Sequence, residues 1–131
     1  MRYNIDREGR DSLHEIIFYE DAAGNKPVLE FIQELRSKNG KDARIRLNKV
    51  LEYIKVLETS GTAAGEPYTK HLDGDIYELR PISDRILFAA AVGGRFVLLH
   101  QFHKKQQKTP KREIEQAKRE LKDFRERSEK K

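Results

Sequence analysis

The stretch Tyr77–Arg112, YELRPISDRILFAAAVGGRFVLLHQFHKKQQKTPKR, sets the architecture of this chain. With Ile76 before it, it holds three apolar runs of strand length, Ile76–Arg80, Arg85–Val92 and Arg95–His103. Their connections are too short for a crossover, and Gly93-Gly94 supplies the positive φ that a tight hairpin demands, so the runs read as an antiparallel meander. A lysine-rich segment without any carboxylate follows the last run. Arginines therefore stand on strands, and lysines crowd the end of the final one.

Working outward, Glu15–Tyr19 (EIIFY) is a compact apolar run that reads as a first strand. Pro27 suits the first turn of a helix, where its missing N–H costs nothing. Val28, Phe31, Ile32 and Leu35 then recur at helical spacing up to Asn39-Gly40. Ala43, Leu47, Val50, Leu51, Ile54 and Leu57 form the stripe of a second helix, with Asp42 as its candidate cap and Gly61 as its stop. Gly61–Lys70 reads as a loop, with Gly65 and Pro67 as breakers. Thr109-Pro110 caps a last helix with a thin stripe at Ile114, Ala117, Leu121 and Phe124, and RERSEKK beyond it is expected to fray. The predicted class is α+β, a small antiparallel-rich sheet packed against a helical hairpin with a C-terminal helix, in the order β-α-α-β-β-β-α. The helices are expected on one sheet face, leaving the other face or its rim for function.

The 131 residues suffice for a single domain, which we expect over residues 14–131 after a loose, charged extension at residues 1–13. No apolar run approaches the roughly 18 residues that span a bilayer, and MRYNIDREGR carries no signal-peptide core, so a cytoplasmic protein without a membrane partner is expected. The absence of cysteine excludes disulfides, thiol nucleophiles and thiolate metal sites. The net charge is +5. Lys104, Lys105, Lys108, Lys111 and Arg112, all within Gln101–Arg112, equal that whole excess. Local positive density of this kind suits phosphates through counterion release, so nucleic-acid binding is the natural reading, with Lys108, Lys111 and Arg112 as the candidate RNA-binding residues; a solvated lysine loop is the alternative.

Strand alternation sorts the remaining candidates. Glu78 and Arg80 share one face, Tyr77 and Leu79 the other; His100 and Phe102 point one way, Gln101 and His103 the opposite way. If Leu79 faces the helices, Glu78 and Arg80 look into a groove that Arg85 can also reach. RNA cleavage without a metal needs a base for the 2′-hydroxyl, an acid for the leaving 5′-oxygen and cations for the charge that builds on phosphorus. Arginine forks suit the third task. Crowded lysines such as Lys104 and Lys105 can work as acid or base, His103 likewise, and either Glu78 or His103 could be the base. Glu78 could equally be the structural partner of Arg80. His100 reads as a packed histidine, His14 and His71 as surface or packing residues, and Tyr68 and Tyr77 as core or loop-packing aromatics, either of which could instead stack on a base. Four dispersed histidines and no clustered acidic spacing give no expectation of a metal, and no cofactor is expected.

The segments EIIFYED, PVLEFIQEL, GEPYTKHLDGDIYELRP and DRILFAAAVGGRFVLLHQFHKKQQKTPKREIEQAKREL together resemble the phage-derived HigB-like toxins of the RelE/ParE superfamily. The likeness spans Glu15–Leu121 and is most specific at YELR followed by RIL and at Phe102–Ala117. It implies the toxin of a type II toxin–antitoxin pair, an endoribonuclease that cuts mRNA on the ribosome. It also implies a helix-turn-helix antitoxin encoded next door, with operator DNA bound only through the antitoxin. By position it places catalytic function on Arg80, Arg85, Lys104 and Lys105, with Glu78 and His103 beside them. Asp84 and Gln106 depart from the pattern, which more usually has tyrosine or histidine at the first and threonine at the second. The same superfamily contains gyrase poisons that cut no RNA; that, or a non-catalytic nucleic-acid-binding module, is the alternative function.

Overall fold

The computed structural model describes residues 14–129. Its elements are β1 (Ile16–Phe18), α1 (Pro27–Ser37), α2 (Lys41–Ser60), β2 (Thr69–Asp73), β3 (Ile76–Leu79), β4 (Asp84–Ala91), β5 (Arg95–His103) and α3 (Lys111–Glu129). The class is α+β as expected, and the order gains one strand. The extension expected at residues 1–13 lies outside the described residues.

The strands form one mixed sheet in the order β1-β5-β4-β3-β2, with β1 parallel to β5 and every other pair antiparallel. Pro27 does open α1, and the Glu30 carboxylate accepts the Lys26 N–H at 2.8 Å. Gly61 ends α2 at a φ of 60°, where any Cβ would also collide with the His14 ring. Asp42 does not cap α2; the cap position is Gly40, and Asp42 lies in the first turn. Nor does the C-terminal helix fray after Phe124. It runs to Glu129, tied back by Arg125 Nη1 to Asp75 at 3.1 Å and by Arg127 to Asp123 and the Glu20 carbonyl.

Two cores result, one on each face of the sheet. Val28, Phe31, Ile32 and Leu35 of α1 and Ala43, Val50 and Leu57 of α2 pack on Leu79, Ile86, Phe88, Phe96 and Leu98. Ala117 and Leu121 of α3 pack on Ile76, Leu87, Ala89, Val97 and Leu99. The expectation that all helices share one sheet face is therefore corrected: α3 covers the second face, because its thin stripe must also leave water. Clefts open at the end of the sheet where β3 leaves, β4 enters and β5 finishes.

A bulge governs which side chains reach that end. Leu87 pairs with His100 and Phe88 with Leu98, so Leu99 is an extra residue in β5. Leu99 and His100 consequently both face α3, and the alternation restarts one residue out of phase. From there Phe102 stands opposite Arg85 on the α3 face, while Gln101 reaches Asp84 on the α2 face.

Candidate phosphate-binding site

The turn Pro81–Asp84 joins β3 to β4 and closes with a 2.9 Å bond from Asp84 N–H to the Pro81 carbonyl. Two backbone bonds hold its neighbours: Arg80 N–H to the Tyr68 carbonyl at 3.0 Å and Lys104 N–H to the Ser83 carbonyl at 2.8 Å. The start of β2, the end of β3, the start of β4 and the end of β5 are thus gathered at one corner. Each ends in a cation or presents one.

Glu78 is the hub of the corner, with only 2% of its surface exposed. Its Oε2 lies 3.4 Å from Arg80 Nε and 3.8 Å from Arg85 Nε, and its Oε1 accepts a short hydrogen bond from Thr109 Oγ1. The pairing register of β3 with β4, continued one residue, sets Arg80 opposite Arg85 on the same face. Two like charges side by side would repel; the buried carboxylate between them makes the pair tenable. Arg80 Nη1 also meets Glu66 Oε1 at 3.0 Å. Arg85 is 5% exposed, and its Nη1 donates to the carbonyls of Ile82 at 3.0 Å and Asp84 at 2.8 Å. Burial lowers its pKa below the ordinary arginine value, with Arg80 adding to the effect and Glu78 opposing it. A guanidinium so placed stays charged yet is poorly hydrated, and an anion would relieve that condition.

Three depressions meet at this cluster. One of 370 Å³ is lined by Arg85, Phe102, His103, Lys104, Lys105, Thr109 and Arg112, among others. A second, of 460 Å³, has Arg80, Lys70, His71, Lys108 and Thr109 in its walls. The third, of 530 Å³, is bounded by Tyr53, Glu66, Pro67, Arg80, Ile82 and Arg85. Of the residues expected from sequence, Glu78, Arg80 and Arg85 form the hub, and His103, Lys104, Lys105 and Arg112 the first cleft. Lys108 lines the second cleft, and Lys111 stands exposed on the first turn of α3, lining none of the three. Glu78 does share a face with Arg80, but that face is no open groove, since Thr109 and α3 close over it.

Three features escaped sequence reading. Thr109 does not cap α3; its hydroxyl is committed to Glu78, tying the lysine loop to β3. Asp84 is 1% exposed and held by Arg46 of α2, Nη2 to Oδ1 at 2.7 Å and Nε to Oδ2 at 3.1 Å, with Gln101 Nε2 on Oδ1 at 3.0 Å. This bond raises the Arg46 pKa against the opposing effect of burial. His103 Nδ1 lies 3.8 Å from the same carboxylate, so Asp84 stands behind the histidine that faces the first cleft. His100 bridges α3 to the sheet through Glu120 at 2.6 Å and Glu113 at 2.9 Å. Burial opposes its protonation, and the two carboxylates outweigh burial, so its pKa is raised.

The corner thus sets Arg80 and Arg85 beside a cleft lined by His103, Lys104 and Lys105, cations and proton-transfer groups together. No curated protein matches the chain. A family model does match, over residues 30–122, and the chain belongs to the family it describes, the phage-derived Gp49-like proteins (DUF891).

Proposed function

We propose that the chain is the toxin of a type II toxin–antitoxin pair, acting as a metal-independent endoribonuclease that cuts mRNA on the ribosome. The Gp49-like family is associated with RelE- and HigB-like toxins, which agrees with the resemblance read from the residues. The observation that carries the reading is the pair of guanidiniums, Arg80 and Arg85, held by one buried carboxylate at the junction of three clefts. Preorganised charge of this sort stabilises a phosphorane without reorganising during the reaction.

In this reading the RNA 2′-oxygen attacks the adjacent phosphorus and the bond to the 5′-oxygen breaks, leaving a 2′,3′-cyclic phosphate and a free 5′-hydroxyl. One proton leaves the 2′-hydroxyl and one joins the departing oxygen. Glu78 has both oxygens engaged, so its role is to position the arginines. His103, Lys104 and Lys105 line the cleft beside Arg85 and are the proton carriers. Lys108, Lys111 and Arg112 guide the flanking phosphates. A helix-turn-helix antitoxin neutralises the protein and alone brings operator DNA to the complex.

Arg85→Lys tests the grip, because lysine keeps the charge and loses the fork. Pulsed expression of the parent should arrest growth, and that of a folded Arg85→Lys protein should not. Undiminished arrest by the folded variant would remove Arg85 from the machinery.

A further inference from the structure

Ile82 is hard to explain by stability. It occupies the second position of the Pro81–Asp84 turn at a φ of 39°. A β-branched side chain is poorly tolerated in that region, where glycine or asparagine would hold the same turn with less strain. The side chain is also 59% exposed, so little apolar burial is gained in return. Neither local conformation nor packing calls for isoleucine, whereas strain of this kind gathers at binding sites.

The surroundings suggest what does. The Ile82 carbonyl accepts from Arg85, fixing the turn beside the guanidinium. Ile82 borders the cleft of 530 Å³ together with Tyr53, Pro67, Arg80, Arg85 and Glu66, whose Oε1 meets Arg80 Nη1 at 3.0 Å. Tyr53 is steadied by Tyr68, ring centre to ring centre at 4.9 Å. Tyr53, Pro67 and Ile82 therefore give this cleft an apolar part, and its two guanidiniums outnumber its one carboxylate. Those are the two chemistries of one nucleotide, a base with a π-face and a phosphate. The other two clefts, with Lys104, Lys105 and Arg112 or with Lys70 and Lys108, are far more cationic and suit the backbone instead.

We propose that Ile82, Pro67 and Tyr53 form a nucleobase shelf that receives the base adjoining the phosphate held by Arg80 and Arg85 in single-stranded RNA. The shelf rests on the RNA-cutting reading above and adds to it a contact by which the site senses base as well as backbone. Ile82 is the exposed wall of the shelf, and its strained turn keeps that wall against the arginines.

The test measures fluorescence anisotropy at fixed salt with two probes: a 2′-O-methylated RNA hexamer, which cannot be cleaved by 2′-oxygen attack, and an abasic hexamer of the same backbone. The parent protein should bind the base-bearing hexamer at least about fivefold more tightly. In Ile82→Asn and Ile82→Gly that ratio should fall toward one with abasic binding unchanged, while the thermal midpoint holds or rises. Ile82→Leu should keep the ratio. A parent protein that binds both probes equally, or Ile82 variants that weaken both alike, would overturn the shelf alone. A parent that binds neither probe would overturn the phosphate grip on which the shelf rests.

Discussion

Glu78→Gln separates two roles that a buried carboxylate can play beside RNA. The substitution keeps the size of the side chain and an oxygen for Thr109 but removes the charge that Arg80 and Arg85 share. Losing one partner of a buried ion pair costs about 3–5 kcal/mol when the orphaned charge stays buried. Here Arg80 keeps Glu66, and Arg85 keeps two carbonyls. The contacts to Glu78, at 3.4 and 3.8 Å, are also longer than ideal hydrogen bonds. The lower end applies, about 3 kcal/mol, a large share of the roughly 5–15 kcal/mol that holds a domain together. Urea unfolding followed by circular dichroism at neutral pH should show the midpoint fall with an unchanged slope. RNA cleavage, measured where the variant is still folded, should fall without vanishing, because the arginines remain but lose their fixed spacing. A variant as stable as the parent yet wholly inactive would refute this reasoning, since that is how a general base behaves.

Further outcomes follow from the same contacts. Asp84→Asn should lower stability by about 2–4 kcal/mol in the same unfolding assay, because Arg46 loses a two-pronged partner that is 1% exposed; a loss under about 0.5 kcal/mol would mean that the pair is idle. The raised pKa of His100 makes its bridge to Glu113 and Glu120 fully stabilising below the ordinary histidine value of about 6.5, and the contribution fades as pH rises through the folded value. Thermal midpoints should therefore decline on the alkaline side in the parent, and His100→Gln should flatten that part of the profile; equal slopes would contradict the bridge. The Tyr19 hydroxyl, partly buried and bonded to Asp123, has its pKa pushed up to about 12, so an ultraviolet titration should find one tyrosine unionised well past pH 10.

The sheet was readable where chemistry is local. Gly93-Gly94 marks the β4–β5 connection, and the apolar runs of β3, β4 and β5 announce themselves within a residue of their ends. The strand that escaped, Thr69–Asp73, reads TKHLD: it lies at the sheet edge, buries mainly Thr69 and is held by backbone pairing with β3. Such a strand has almost no side-chain pattern to detect. The bulge at Leu99 was equally silent, since LLH looks the same in either phase. Simple alternation holds within the last four residues of β5, because the bulge lies before them.

The candidate site divides along the same line. Glu78 and Arg80, two residues apart on one strand, share a face by simple alternation, and their pairing could be stated in advance. Thr109 with Glu78 and Arg46 with Asp84 bridge elements far apart in sequence, and nothing local marks them. The stripe Ile114, Ala117, Leu121 and Phe124 did call for burial, but the α1–α2 hairpin had already filled one face. Counting the apolar residues left on the opposite face of the strands, Ile76, Leu87, Ala89, Val97 and Leu99, would have sent α3 there.

Ribosome-dependent cleavage is decided by mapping transcript 5′ ends across the cell shortly after a pulse of expression. New ends should fall within translated codons, carry 5′-hydroxyls and disappear when translation initiation is blocked. Growth arrest with intact messages would contradict such cleavage.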